Sequence, residues 1–253
     1  MSYSANNLPA DKHCFFGSEG GVSTGKYTSL NTNLSSNDTR DNLQRNFEII
    51  SGYFGKKNGD MFTLRQSVSN VAVYADRPSW FTIAADGAVT TDKKILLGIK
   101  TADCAPVLLA DYHNGVIGAA HAGWRGASKG IIENVVKLMV EKGANVKNIA
   151  AAIGPCMQQS SFEVQDDMRA VFINSDKNNA SYFTNGKDEH HFYFDLSGYV
   201  ENRLRAVGVC NIDNSGIDTY PLQSGYFSYR RNTHLNLIEG SRDYPTQYSC
   251  ICL

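Results

Sequence analysis

The chain has 253 residues, with 24 Lys and Arg against 25 Asp and Glu, so its formal net charge is −1. A chain this close to neutral has no overall attraction for nucleic acid or for an anionic membrane, and any basic function must be local. It contains no run of about 18 apolar residues, so no membrane span is expected. The length suits a single domain over residues 1–253. Six widely spaced cysteines and no evident signal peptide favour a reducing, cytoplasmic setting.

The first part of the chain is predicted to contain a loop, a helix and a strand. Residues 21–33, GVSTGKYTSLNTN, are rich in Gly, Ser, Thr and Asn and indicate a loop with tight turns. Apolar residues recur at helical spacing over 40–54, which predicts an amphipathic helix capped by Asn37 or Asp38. Residues 61–74 are predicted to form a strand that ends in VAVY.

The middle of the chain is predicted to form three successive strands and a helix. The strands cover 94–99, 105–111 and 115–121, and an Asn-Gly turn signal joins the last two. Apolar residues on one face predict a helix over 127–142, with Gly143 as its C-cap. The remaining predicted segments are a strand over 149–153, helices over 166–173 and 197–207, and an aromatic and basic segment over 225–231.

The order of these elements indicates the fold class. Two or three strands between single helices do not form a regular parallel βαβ series, and they favour an α/β domain of the α+β type. We expect a layered, mixed β-sheet sandwich flanked by helices. The terminal YSCICL, with Cys250 and Cys252, is interpreted as a fraying end or a soft-metal ligand pair.

A thiol and an imidazole lie at the ends of predicted strands. Cys104 lies in TADCAP, and because proline forces its predecessor out of helical geometry, the thiol is placed in a turn before a strand. It is either a small buried thiol or a metal ligand or nucleophile, with Asp103 beside it to orient a histidine or accept a proton. His121 ends VIGAAH, either as a core histidine satisfied by the backbone or as an open functional position.

An anion site is predicted directly after His121. Gly123 lets a ligand approach the backbone, Arg125 adds a bidentate donor, and the helix over 127–142 directs free N–H groups toward the turn. The structural alternative is that Arg125 only stacks on Trp124. Together these residues suit a phosphate or a carboxylate.

Two later segments add candidate substrate contacts. Glu163, in the segment GPCMQQSSFEV, is either a hydrogen-bond acceptor for a substrate hydroxyl or a surface carboxylate. Ser228 and Arg230, in FSYRR, are either ligand contacts or part of an alternating strand whose basic residues face outward.

Five segments occur in a recognisable order: HCFFGSEGGVSTGKYTSLN, TADCAPVLLAD, AAHAGWRG, AAIGPCMQQSSFEV and FSYRR. In this order they resemble the laccase-domain proteins, once called multicopper polyphenol oxidoreductases. The resemblance implies a layered mixed α/β domain related to the catalytic domain of the cytotoxic necrotizing factor toxins. It also implies purine nucleoside phosphorylase activity, with adenosine deaminase and methylthioadenosine phosphorylase activities alongside. The implied substrates are a purine nucleoside and phosphate.

The resemblance further implies a His–Cys–His cluster that holds zinc, with Cys104 and His121 as two of the ligands. The first family histidine lies in a Gln-x-His segment, which here reads QSV, with Val68 in the histidine position. Val68 leaves three alternatives, which are a metal-poor site, a replacement ligand from elsewhere in the fold, or an inactive member. Residues 17–18 also lack the family's Thr-Arg, and with it an arginine suited to an anion.

Four functions are compatible with these residues. In a purine nucleoside phosphorylase, phosphate would lie against Arg125, and Asp103 or Glu163 would hold ribose hydroxyls. In a thiol hydrolase or deamidase, Cys104 would be the nucleophile and His121 its base. A binding protein would keep the pocket without turnover. A copper polyphenol oxidase is least expected, because a multicopper site needs many histidines and this chain has six. The oligomeric state stays open.

Overall fold

The computed structural model describes residues 2–240 and 242–253, which form β-sheets covered by helices. The strands are β1 (Ser2–Tyr3), β2 (His13–Phe16), β3 (Met61–Leu64), β4 (Ala72–Tyr74), β5 (Ser79–Ile83), β6 (Gly87–Thr90), β7 (Leu96–Thr101), β8 (Ala105–Asp111), β9 (Val116–Ala122), β10 (Ala150–Ile153), β11 (Glu163–Gln165), β12 (Phe183–Asn185), β13 (His191–Phe194), β14 (Asn211–Asn214) and β15 (Gln247–Ile251). The α-helices are α1 (Arg40–Tyr53), α2 (Trp124–Ser128), α3 (Ile131–Glu141), α4 (Asp166–Ser175), α5 (Leu196–Ala206) and α6 (Tyr229–His234).

Two six-stranded sheets and one small sheet make up the strand framework of the described residues. The first sheet has the order β1-β2-β15-β7-β3-β5, and the second has the order β14-β10-β8-β9-β6-β4. Both sheets are mixed: β3 runs parallel to β7, for example, whereas β15 runs antiparallel to it. The third sheet has the order β11-β13-β12.

The two large sheets pack face to face, because their strands alternate apolar side chains between two buried faces. Leu97 from the first sheet and Leu108 from the second belong to the core between the sheets. Helices α3 and α5 cover the outer face of the second sheet, with Val135 and Val200 in that core. Helix α1 covers the outer face of the first sheet through Phe47. The layered mixed sandwich flanked by helices is therefore confirmed.

Segments with strong local signals match the structure closely. The hairpin predicted over 105–111 and 115–121 is β8 and β9, and the predicted helices at 40–54, 166–173 and 197–207 are α1, α4 and α5. The cap of α1 is Thr39, whose side chain accepts a hydrogen bond from Asn42 N, so the prediction of Asn37 or Asp38 is wrong. Within the part of the chain that the structure describes, no helix is long and apolar enough to span a membrane.

Two predicted elements are broken in the structure. The run at 61–74 divides into β3 and β4, which lie in different sheets, and Val68 in the intervening loop has a φ of 60°. The helix predicted over 127–142 divides into α2 and α3, because Gly130 between them has a φ of 92°. A left-handed residue cannot continue a right-handed helix.

The C-terminal third differs from its prediction in two places. Ser228 caps α6 by accepting a hydrogen bond from Arg231 N, so FSYRR begins a helix and the alternating-strand reading is wrong. Cys250 is buried in β15, which lies between β2 and β7 in the first sheet. The C-terminal segment is therefore a central strand, and the fraying-end reading is also wrong.

Candidate functional site

Cys104 and His121 come together because β8 and β9 form one antiparallel hairpin. The register pairs Ala105 with Ala122 and Pro106 with His121, so the start of β8 lies beside the end of β9. The Cys104 thiol and the His121 ring both lie beside Gly123, and their proximity contributes to raising the pKa of His121. His121 is buried, and Cys104 is partly exposed.

Gly123 leaves the space in which the side chains of this site meet. A Cβ atom on Gly123 would lie 3.0 Å from Cys104 Sγ and 3.1 Å from Val68 Cγ1. It would also lie 3.7 Å from His121 Cε1. A side chain here would force its neighbours to move, so glycine allows the thiol, the imidazole and the valine to surround one point. Val68 thus lies beside Cys104 and His121, as its place in the family motif predicts.

Asp86 is a functional residue that sequence reasoning missed. It is fully buried, and its Oδ1 lies 2.7 Å from His121 Nδ1. Its carboxylate also accepts the N–H groups of Ser67, Val68 and Ser69 and the Ser69 hydroxyl, at 2.6 to 3.2 Å. One carboxylate therefore fixes both the histidine ring and the loop that carries Val68. The only local sequence signal is the pair Asp86-Gly87, at the start of β6, which is the strand that pairs with β9.

The pair of Asp86 and His121 is charged at neutral pH. Burial alone would lower the pKa of His121, but Cys104 and Asp86 raise it to about 9. Burial alone would raise the pKa of Asp86, but His121 and Ser69 hold it at about 2. The imidazole is therefore protonated and oriented, with its Nδ1 side taken by the carboxylate.

The residues of the cluster do not match the zinc centre that the resemblance implies. A catalytic zinc takes about three protein ligands and a water, whereas Val68 offers only methyl groups. Asp86 already binds the imidazole and the loop N–H groups. Within residues 2–240 and 242–253, no group of three or more His, Cys, Asp and Glu side chains is arranged to hold a metal ion.

Asp103 binds protein groups. Its Oδ1 accepts a hydrogen bond from Thr219 Oγ1 at 2.7 Å, and its Oδ2 accepts one from Arg230 N at 2.7 Å. The carboxyl is buried, which raises its pKa, and Ser228 opposes this rise. These contacts tie the turn before Cys104 to the start of α6. Asp103 and Ser228 therefore have positioning roles in this geometry.

The side chains of Arg125, Glu163 and Arg230 contact the Trp124 ring, Lys187 and the Glu163 backbone, respectively. The guanidinium of Arg125 is exposed and stacks on the Trp124 ring at 4.2 Å. Trp124, Glu163 and Arg230 line a cavity of about 360 Å³ whose lining includes neither the thiol nor the imidazole. Arg230 Nη1 donates to the backbone oxygen of Glu163 at 2.9 Å, and the Glu163 carboxylate pairs with Lys187 at 3.3 Å.

A second cavity, of about 600 Å³, has a basic lining. Its lining residues, which we call the basic cavity, are Asn33, Leu34, Ser35, Leu64, Arg65, Gln66, Ser67, Phe81, Ala84, Lys100, Arg242 and Tyr244. Ser67 precedes Val68 in the chain, so this cavity lies next to the loop that carries Val68. Three cations and no carboxylate line it, and the sequence analysis identified none of the three.

Comparisons with known proteins agree on one family. The family model for multi-copper polyphenol oxidoreductase laccase matches residues 12–238. The chain is 44% identical over 192 residues to purine nucleoside phosphorylase RP494 of Rickettsia prowazekii, covering 76% of this chain and 78% of that protein. It is 35% identical over 228 residues to a purine nucleoside phosphorylase of Deinococcus radiodurans, covering 90% and 86%. The crystal structure of Neisseria meningitidis protein NMB0706 superposes with a TM-score of 0.88 at 30% identity, covering 100% and 98%.

Proposed function

The chain belongs to the multi-copper polyphenol oxidoreductase laccase family, and from this premise we propose that it is a purine nucleoside phosphorylase. Its substrates would be adenosine, inosine or guanosine together with inorganic phosphate. The observation that carries the proposal is the cluster of Cys104, His121 and Asp86, whose Asp86 carboxylate accepts the N–H of Ser67 in the lining of the basic cavity. Relatives named purine nucleoside phosphorylase support it further.

The reaction needs an anionic nucleophile, an oriented sugar and a proton for the leaving base. A phosphate oxygen forms a bond to the ribose anomeric carbon while the bond from that carbon to the purine nitrogen breaks. The electron pair of the broken bond moves to the purine, which takes up one proton. Fixed donors aimed at the places where charge develops are the usual largest contribution to such catalysis.

His121 is positioned to manage that proton. Asp86 binds the Nδ1 atom of His121 and fixes the ring against the β8–β9 hairpin. The other side of the ring faces the Cys104 thiol and the space beside Gly123. A histidine held by a buried carboxylate is the usual arrangement of a general acid or base. Deamination of adenosine instead requires an activated water, for which a metal is the natural source. With Val68 in the ligand position, phosphorolysis is expected to exceed deamination.

The test is phosphate-dependent release of hypoxanthine from inosine and of adenine from adenosine. Cys104→Ala and His121→Asn are expected to lose most of the activity, by about 100-fold or more for the histidine. Cys210→Ala is the matched control, because Cys210 is an exposed cysteine whose thiol donates to the backbone oxygen of Gly208. Equal activity in His121→Asn and wild type would contradict the proposal.

A second candidate function is a thiol hydrolase or deamidase. The observation that favours it is the order thiol, imidazole, carboxylate formed by Cys104, His121 and Asp86, which matches the arrangement of a cysteine nucleophile and its oriented base. Fast, selective alkylation of Cys104 by iodoacetamide, with loss of a phosphate-independent hydrolysis, would support it. An inert Cys104 in the Cys210→Ala background would argue against it.

A further inference from the structure

The basic cavity has an unbalanced charge. Arg65, Lys100 and Arg242 line it, and no aspartate or glutamate does. Asp243, the residue after Arg242, is bound elsewhere: its carboxylate oxygens lie 2.6 Å from Lys26 Nζ and 2.5 Å from the Tyr27 hydroxyl. The positive charge of the cavity is therefore not neutralised by the neighbouring carboxylate.

Lys100 is fixed at the backbone, and its ammonium group has no acidic partner among the described residues. Gln66 makes two hydrogen bonds to Lys100, accepting from its N at 2.8 Å and donating to its O at 2.7 Å. The nearest polar contact of the ammonium is Asn33 Oδ1 at 3.5 Å. Burial, and then the charge of Arg242, lower the pKa of Lys100. A cation held under such conditions gains most from an anion.

Arg242 is held in a similar way. The amide nitrogen of buried Asn33 donates to the backbone oxygen of Arg242 at 2.9 Å and to that of Tyr244 at 2.7 Å. Two amide side chains, Gln66 and Asn33, thus fix the backbones of the two cations before any ligand enters. Such preorganisation reduces the entropic cost of binding.

We propose that the Lys100 and Arg242 end of the basic cavity binds inorganic phosphate, as the co-substrate of the proposed phosphorolysis. The role of phosphate as co-substrate rests on the proposed function. The location of the phosphate site rests on the cavity alone. A tetrahedral phosphate dianion matches one planar guanidinium fork and one ammonium point charge. Arg125, the anion contact predicted from the sequence, does not line this cavity, and its guanidinium stacks on Trp124. The co-substrate would therefore approach the Cys104 cluster from the side of Ser67 and Tyr244.

The test is calorimetric titration of inorganic phosphate into the full chain, without nucleoside and at fixed ionic strength. Lys100→Met and Arg242→Met are each expected to weaken phosphate binding by about tenfold or more, because each removes one charge-assisted contact. Lys129→Met, an exposed lysine at the end of α2, is the matched control and should stay within about twofold. Lys100→Arg and Arg242→Lys should restore part of the affinity, and a thermal melt of each variant shows whether it is folded.

Steady-state kinetics separate this site from the function. In Lys100→Met and Arg242→Met, KM for phosphate should rise by about tenfold while KM for inosine changes by less than about threefold. If phosphate binding depends on both residues but the protein cleaves no nucleoside, the anion site is supported and the proposed function is refuted. Phosphate-dependent cleavage that neither variant changes, or that only Arg125→Met impairs, would overturn the anion site.

Discussion

Replacing Asp86 by asparagine tests whether one carboxylate holds the site together. The asparagine has the same shape, but it removes the charge and places an NH₂ group against a donor, which is Val68 N at the Oδ1 position or Ser67 N and Ser69 N at the Oδ2 position. Breaking a buried ion pair by removing one partner costs roughly 3 to 5 kcal/mol. Cys104 and Asp86 together raise the pKa of His121 from 6.5 to about 9, against the lowering effect of burial, so Asp86 accounts for only part of this shift.

The pH dependence of stability provides the assay. Because the pKa of His121 is raised in the folded state, its stabilisation is complete below pH 6.5 and is lost as the pH rises through about 9. The pKa of Asp86 is depressed from 3.8 to about 2, so its stabilisation is present above 3.8 and is lost as the pH falls through about 2. Urea denaturation of the wild type should therefore show a fall in the free energy of unfolding between pH 6.5 and 9. The Asp86→Asn protein should be less stable than the wild type at pH 6, and its free energy of unfolding should fall less between pH 6 and 9.

Asp111→Asn is the matched control for this prediction. Asp111 is also a buried carboxylate that accepts three hydrogen bonds, from Asn114 N, Asn114 Nδ2 and Asn145 N, but it lies at the other end of β8. The Asp111→Asn substitution should lower the free energy of unfolding without changing the pKa of His121 measured by NMR. An Asp86→Asn protein that unfolds at the wild-type urea concentration, with His121 still titrating near 9, would refute this account of the site.

Three further substitutions test the rest of the site. Val68→Gly should raise the free energy of unfolding by about 1 kcal/mol in urea denaturation, because a β-branched residue is strained at a φ of 60°; a fall in stability would contradict this. Val68→His should raise the zinc content found by elemental analysis toward about one per chain. It should also increase deamination more than phosphorolysis, and equal gains in both reactions would contradict this prediction. Gly123→Ala should lower kcat for phosphorolysis by about tenfold or more, because its methyl group would lie 3.0 Å from Cys104 Sγ, and an unchanged kcat would show that the close approach is irrelevant.

Local signals predicted the parts of the fold that depend on neighbouring residues. Strands β8 and β9 follow from an apolar run, an Asn-Gly turn and a second apolar run, so both strands could be located from sequence. The break between α2 and α3 was missed because Gly143 appeared to be the only stop, while Gly130 takes the left-handed conformation. The place of β15 depends on pairing with Cys14 and Gly98, which are distant in sequence and leave no local trace.

The site was predicted only in part, for the same reason. Cys104 and His121 were identified because they end strands of one hairpin, and the motif position of Val68 placed it near them. Asp86 was missed because it lies 35 residues from His121, in a segment that looks like an ordinary turn. Lys100 was missed because its proposed role in phosphate binding depends on a cavity. Arg242 and Asn33, which also line that cavity, are distant from Lys100 in the sequence.

The proposed phosphorolysis is tested by incubating inosine with the wild-type protein, with and without inorganic phosphate, and measuring hypoxanthine by chromatography and ribose 1-phosphate by phosphorus NMR. The proposed function predicts that hypoxanthine appears only with phosphate and is matched one for one by ribose 1-phosphate, and that His121→Asn abolishes both signals. Hypoxanthine release at the same rate without phosphate, or no release under either condition, would contradict it.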